Sequence, residues 1–169
     1  MKIKFLPSIL FQILILITLN GCIEAPTMTV NLAFESNKYE SQESIIANVT
    51  VTNVSDIALA INSRFTPNDP VMPEIARDIT FLVRNPLGKE LDFLAKINPA
   101  ISKLENFVLL TPGEQLSTSI DISRYYDFSL SGEYEISVSY QNALIPDNMN
   151  NVWVGNVQSE LVVLEIVEN

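Results

Sequence analysis

From Met28 onward, apolar residues recur at alternate positions, and any fold for this chain has to satisfy that period. A period of two puts one set of side chains on a single face of an extended strand, whereas a helix needs recurrence every three or four residues. Met28, Val30, Leu32 and Phe34 form the first row. Ile45, Ala47, Val49 and Val51 repeat it against Asn48, Thr50 and Thr52. A shorter row, Ile57, Leu59 and Ile61, follows a turn at Asn53-Val54-Ser55-Asp56, which predicts two strands with a tight connection.

Turn chemistry punctuates the later rows in the same way. Ile79, Phe81 and Val83 must stop at Asn85-Pro86-Leu87-Gly88, because proline presets φ at the second turn position and glycine closes the turn. Thr111-Pro112-Gly113-Glu114 fits a type II turn between Phe107–Leu110 and the row Leu116, Thr118, Ile120, Ile122. The cleanest alternation is Tyr134, Ile136, Val138 and Tyr140 against Glu133, Glu135, Ser137 and Ser139, which predicts a sheet with one face in water. Ahead of it, Leu130-Ser131-Gly132-Glu133-Tyr134 resembles a tyrosine corner, with Gly132 and Tyr134 as its structural residues. The last row, Val157 to Val167, is apolar on both faces around Leu161, Val162, Val163 and Leu164. Burial on both sides, or a sheet edge that a partner covers, accounts for that. About seven to nine short strands and no helical stretch predict an all-β fold, an immunoglobulin-like antiparallel β-sandwich of Greek-key type over residues 28–169.

The N-terminus follows a different pattern. Lys2 and Lys4 precede an apolar run from Phe5 to Leu19, and Leu19-Asn20-Gly21-Cys22 ends it. The run is shorter than the roughly 20 apolar residues a spanning helix needs, so a cleaved secretory signal over residues 1–21 is expected. Leu-x-Gly-Cys resembles the bacterial lipobox, which implies cleavage between Gly21 and Cys22 and lipid on the Cys22 thiol. Residues 22–27 would then be a short lipidated tether. Two or more acyl chains hold a protein stably where one does not, so a permanent attachment to the bacterial cell envelope is expected. Ile23 stands where inner-membrane retention uses aspartate, which points to the outer membrane if the cell has one. Cys22 is the sole cysteine, so no intrachain disulfide forms.

Composition narrows the chemistry further. The chain has 10 basic and 20 acidic residues, and loss of Lys2 and Lys4 makes its net charge more negative still. Such a surface repels nucleic acid. There is no histidine, which removes Ser-His-Asp and Cys-His catalysis and nearly all catalytic zinc sites. Ser36/Lys38 and Ser102/Lys103 have no diagnostic dyad spacing, and Glu133 and Glu135 read as an exposed strand face rather than a glycosidase pair. Asn68, Asp69, Glu74 and Asp78 lack the spacing of a calcium loop. No catalytic residue, metal or cofactor is expected.

Several segments together resemble the N-terminal immunoglobulin-like pro-domain of the deuterolysin-type (aspzincin) metallopeptidases. They are Asn48 to Asp56, Phe81 to Gly88, Leu110 to Glu114, Asp121 to Phe128, and Gly132 to Tyr134, in that order. The zinc ligands of those enzymes lie in a separate catalytic domain, so the resemblance implies an accessory module without peptidase activity. It suggests a protein partner such as a secreted peptidase, and the apolar last row, at an open edge of the sandwich, makes Leu161–Leu164 the expected contact edge. Two alternatives remain: a peptidase inhibitor acting in trans, and a structural envelope lipoprotein without a discrete ligand. Cells grown with radioactive palmitate are expected to label this chain, and Cys22→Ser is expected to abolish the label in a gel autoradiograph.

Overall fold

The computed structural model describes residues 27–73, 78–95 and 103–168. The signal segment, Gly21, Cys22 and all of the tether but Thr27 lie outside the described residues.

Ten strands are present among the described residues: β1 (Met28–Phe34), β2 (Lys38–Glu40), β3 (Ile46–Asn53), β4 (Leu59–Asn62), β5 (Ile79–Arg84), β6 (Phe107–Leu110), β7 (Gln115–Asp121), β8 (Gly132–Asn142), β9 (Gly155–Gln158) and β10 (Val162–Val167). That is more than seven to nine. The last apolar row divides into β9 and β10, and β2 is too short to show a period. One sheet has the order β1-β3-β7, and a second has β2-β10-β8-β5 with β9 also on β8. β4 and β6 form a two-stranded ribbon. Each connection from β1 through to β8 changes sheet. The pairings put β1, β3 and β7 in the places of strands A, B and E of an immunoglobulin sandwich, and β5, β8 and β10 in those of C, F and G.

The predicted rows become the core. Met28, Val30 and Leu32 from β1, Ala47, Val49 and Val51 from β3, and Phe81 and Val83 from β5 are all buried. Tyr134, Ile136, Val138 and Tyr140 are 0 % exposed. Expectation and structure meet at three places. The Asn53–Asp56 connection is tight and joins two strands, as expected, and β4 then leaves β3 to pair with β6. Asn53 decides this: its side-chain amide donates to Ile57 C=O and Leu110 C=O, both at 2.8 Å, and its Oδ1 accepts from Ser55. The outer face of β8 is wet only at its start, since Ser137 and Gln141 are buried and Gln158 Nε2 donates to Ser137 Oγ at 3.0 Å. Finally, β10 pairs with β8 over residues 162–166 and with β2 over residues 165–167, so it is an inner strand in its second half only.

Two glycines set the turns. Gly113 has φ +79°, and Glu114 N–H donates to Thr111 C=O at 3.0 Å, closing the predicted turn. Gly132 has φ +126° and leaves no room for a side chain, because a Cβ there would sit 2.9 Å from Pro86 Cβ. That contact places the Asn85–Gly88 turn against the start of β8. Tyr134 Oη donates to Leu130 C=O at 2.9 Å and accepts from Leu130 N–H at 3.1 Å, which is the geometry of a tyrosine corner.

The buried phenols make the sandwich sensitive to alkali. Burial raises Tyr126, Tyr134 and Tyr140 above the ordinary tyrosine value of 10.0, with Asp69 and Glu90 adding to Tyr126 and Asp78 to Tyr140. Below that value both folded and unfolded chains keep these protons, and stability is intact. Above it the unfolded chain ionises first, so stability falls as pH rises toward the folded values. Tyrosinate absorbance from these three is expected to appear only together with loss of the β-sheet circular dichroism.

Candidate functional site

A β-sandwich recognises other chains chiefly through strand edges left without hydrogen-bond partners, so the site is built by following the edges. The outer edge of β5 is closed. Ile79 C=O accepts from Asn68 N–H (2.8 Å), Phe81 C=O from the Tyr126 hydroxyl (2.9 Å), and Val83 C=O from Leu91 N–H (2.8 Å). β1, at one side of the first sheet, lies close against β8 and β9 of the second.

β10 is also mostly covered. Glu165 N–H donates to Asn37 C=O at 2.8 Å, so the odd-numbered backbone groups of β10 point away from β8, and β2 pairs with residues 165–167. Leu164 is 1 % exposed and Val162 half-buried, which leaves Leu161 and Val163 as the exposed members of the predicted edge. Only the outward groups of Val163 lie past the end of β2. The apolar run of Leu161–Leu164 therefore has a dual cause: Leu164 faces the core, and Val163 faces outward beside Glu135 of β8.

β7 is different. Asn53 N–H donates to Glu114 C=O, and Ile122 N–H donates to Ile45 C=O, which fixes the even-numbered residues as those facing β3. The backbone groups of Gln115, Ser117, Ser119 and Asp121 point the other way, and no hydrogen bond from a described residue meets them. In an immunoglobulin sandwich strand D lies there. Among the described residues the strand that follows β5 is β6, which pairs with β4 instead. The open edge carries neither lysine nor proline and no bulge, the usual protections of an edge. On its outer face, Ser117 Oγ lies 2.8 Å from Thr50 Oγ1, and Ser119 Oγ donates to Asn48 Oδ1 at 2.7 Å, so these hydroxyls brace β7 against β3.

The other candidates fall to structural roles. Asp78 is 2 % exposed, and Arg64 Nε and Nη2 donate to its carboxylate at 2.6 and 3.0 Å, with Asn62 Nδ2 at 2.7 Å. Its charge is thus matched by a guanidinium rather than held for a cation, Glu74 lies outside the described residues, and no metal-binding group occurs among those described. Ser36 Oγ donates to Lys38 C=O, while Lys38 Nζ pairs with Glu165 at 3.2 Å, so this serine and amine are not a dyad. Glu135 meets Arg84 at 3.7 Å on an exposed face. Trp153 is buried, stacked on Tyr140 at 5.4 Å.

No protein-family model matches the chain, and no curated protein does. Among solved structures it is similar to a CARDB domain from Pyrococcus furiosus determined in solution, at 14% identity over 83% of this chain and 94% of that one, with a TM-score of 0.41. A crystal structure of a CARDB domain from the same organism in complex with di-metal ions gives 16% identity, 85% and 96% coverage, and a TM-score of 0.42. A β-glucosidase from Listeria innocua in complex with isofagomine is similar at 14% identity and a TM-score of 0.36, over 84% of this chain and 16% of that one. At these levels no ligand or activity passes from them to this chain, and none of the three is a metallopeptidase pro-domain. The strand pairings are those of an immunoglobulin-like β-sandwich.

The Arg64–Asp78 pair makes a direct prediction. Asp78→Ala leaves a mostly buried guanidinium without its carboxylate and is expected to cost about 3–5 kcal/mol, read as a lower denaturation midpoint in urea with an unchanged slope.

Proposed function

We propose that this chain is a non-catalytic, lipid-anchored protein of the bacterial envelope that binds an extended segment of a protein partner along the open edge of β7. The observation that carries this reading is the row of outward backbone groups at Gln115, Ser117, Ser119 and Asp121, in the place where a further strand would pair. Strand addition draws its affinity from such main-chain bonds. The lipobox-like Leu19–Cys22 supports the anchor, and the lack of any histidine supports the absence of catalysis. The segments resembling an aspzincin pro-domain make a secreted peptidase the first partner to test. The chain would hold that partner at the membrane surface.

The outward N–H groups of Ser117 and Ser119 are outside the β3–β7 ladder, so proline at both positions removes two donors and leaves that ladder intact. Two lost bonds of about 1 kcal/mol each weaken binding about 30-fold. A photo-crosslinking residue at Ser119 of the full chain in cells is expected to trap one defined partner. The Ser117→Pro/Ser119→Pro variant, with the crosslinker moved to Gln115, is expected to lose that adduct. An adduct that survives both prolines, or equal trapping from Glu133 on the other sheet, would sink the edge assignment.

A further inference from the structure

At the pole of the sandwich opposite Thr27, a cavity of about 440 Å³ opens between the two sheets. Its floor is apolar: Ile45 and Ile166 are buried, and so is Phe128. Its mouth carries Glu40, Glu43 and Asp127, and no lysine or arginine is among its described lining residues. One oxygen of Glu43 accepts from Glu40 N–H at 2.8 Å and one oxygen of Asp127 from Ser129 N–H at 3.0 Å, which holds both carboxylates in place with an oxygen to spare. Of the bases near it in sequence, Lys38 pairs with Glu165 at 3.2 Å, and Arg124, in the turn beside Ser123, is exposed and is not among the lining residues.

Each feature of this cavity narrows the occupant. A wholly apolar ligand would strip water from three carboxylates without replacing it, which is costly. An anion is repelled. A bare metal ion finds no ligand cluster among the described residues and gains nothing from an apolar floor. An occupant with an alkyl stem and a cationic head satisfies both halves, because long basic side chains bury their methylenes while keeping the charge at the rim. The volume is at the small end for ligand sites, sized for a side chain with its flanking backbone.

We propose that this pocket receives an arginine or lysine side chain of the partner polypeptide. The assignment rests on the protein-binding reading for its source and on the pocket itself for its chemistry.

The test uses the full chain in detergent micelles with three probes measured by calorimetry. They are the peptide Ac-Gly-Leu-Arg-Leu-Gly-NH2, the same peptide with citrulline for arginine, and butylguanidine. The arginine peptide is expected to bind at least tenfold tighter than the citrulline peptide, with methyl NMR shifts at Ile45 and Ile166. Glu40→Gln with Asp127→Asn is expected to weaken the arginine peptide about tenfold and leave the citrulline peptide unchanged. Equal binding of arginine and citrulline peptides, or no binding of the arginine peptide, overturns the proposal. Butylguanidine binding as tightly as the peptide overturns the polypeptide source. The β7 crosslink is read separately: if the Ser119 adduct persists while the arginine peptide fails to bind, the pocket assignment alone falls. If the adduct is absent while the peptide binds, the edge reading falls and the pocket stands.

Discussion

The inward row of β8 is the constraint on which the rest of the structure depends. Tyr134, Ile136, Val138 and Tyr140 are wholly buried, and β5, β9 and β10 all hydrogen-bond to this one strand. The two tyrosines at its ends bring polar groups into the core, and each is satisfied by a fixed partner. Tyr134 closes the corner at Leu130, and Tyr140 donates to Asn62 C=O at 2.8 Å, which ties the β4–β6 ribbon to the second sheet. A buried hydroxyl without such a partner is costly, so both bonds select the arrangement as well as stabilise it.

Buried amides do the same for the connections. Asn53 joins the end of β3 to the start of the next segment and to β6, and Asn142 Nδ2 donates to Leu144 and Trp153 C=O at 3.0 and 2.6 Å. Asn53 is fully buried with its donors and acceptor occupied, which fixes Asn53-Val54-Ser55 as a turn. The Arg64–Asp78 pair with Asn62 and Asn68 anchors the loop before β5 in the same way. That loop in turn covers Ile79 at the edge of β5. Closure of one sheet edge thus depends on a charge pair whose partners are fourteen residues apart.

Treatment of the edges is asymmetric. β5 is stapled along its length, β10 is covered over its second half, and β7 is left unpaired on its outer side by the described residues, with hydroxyls braced against β3. An exposed ladder is an aggregation hazard that proteins normally blunt, and the proposed partner strand would close it. The acidic-rimmed cavity lies at the pole of β7 that ends in Asp121 and the 3-10 turn Ile122–Arg124, beyond which Tyr126 and Phe128 turn inward. One extended partner segment along β7 would lead toward that pole.

The alternation of apolar residues by itself determined which faces of β1, β3, β5, β7 and β8 are buried, because side chains on a strand alternate whatever lies beside it. The turns at Asn85–Gly88 and Thr111–Glu114 and the Gly132–Tyr134 corner were equally legible, since each depends on local backbone geometry. What periodicity could not carry was the neighbour of each strand. Leu161–Leu164 shows an apolar run whether its strand is an edge or an inner one, and only the pairing of residues 162–166 with β8 and of 165–167 with β2 decided which part of β10 is covered. Ser117 and Ser119 look like any solvated strand face in sequence, with the absence of lysine and proline as their one local sign. Glu40, Glu43 and Asp127 are brought to one cavity mouth from segments more than eighty residues apart. Strand neighbours and cavities are made by long-range hydrogen bonds and packing, and so were decided by the tertiary structure alone.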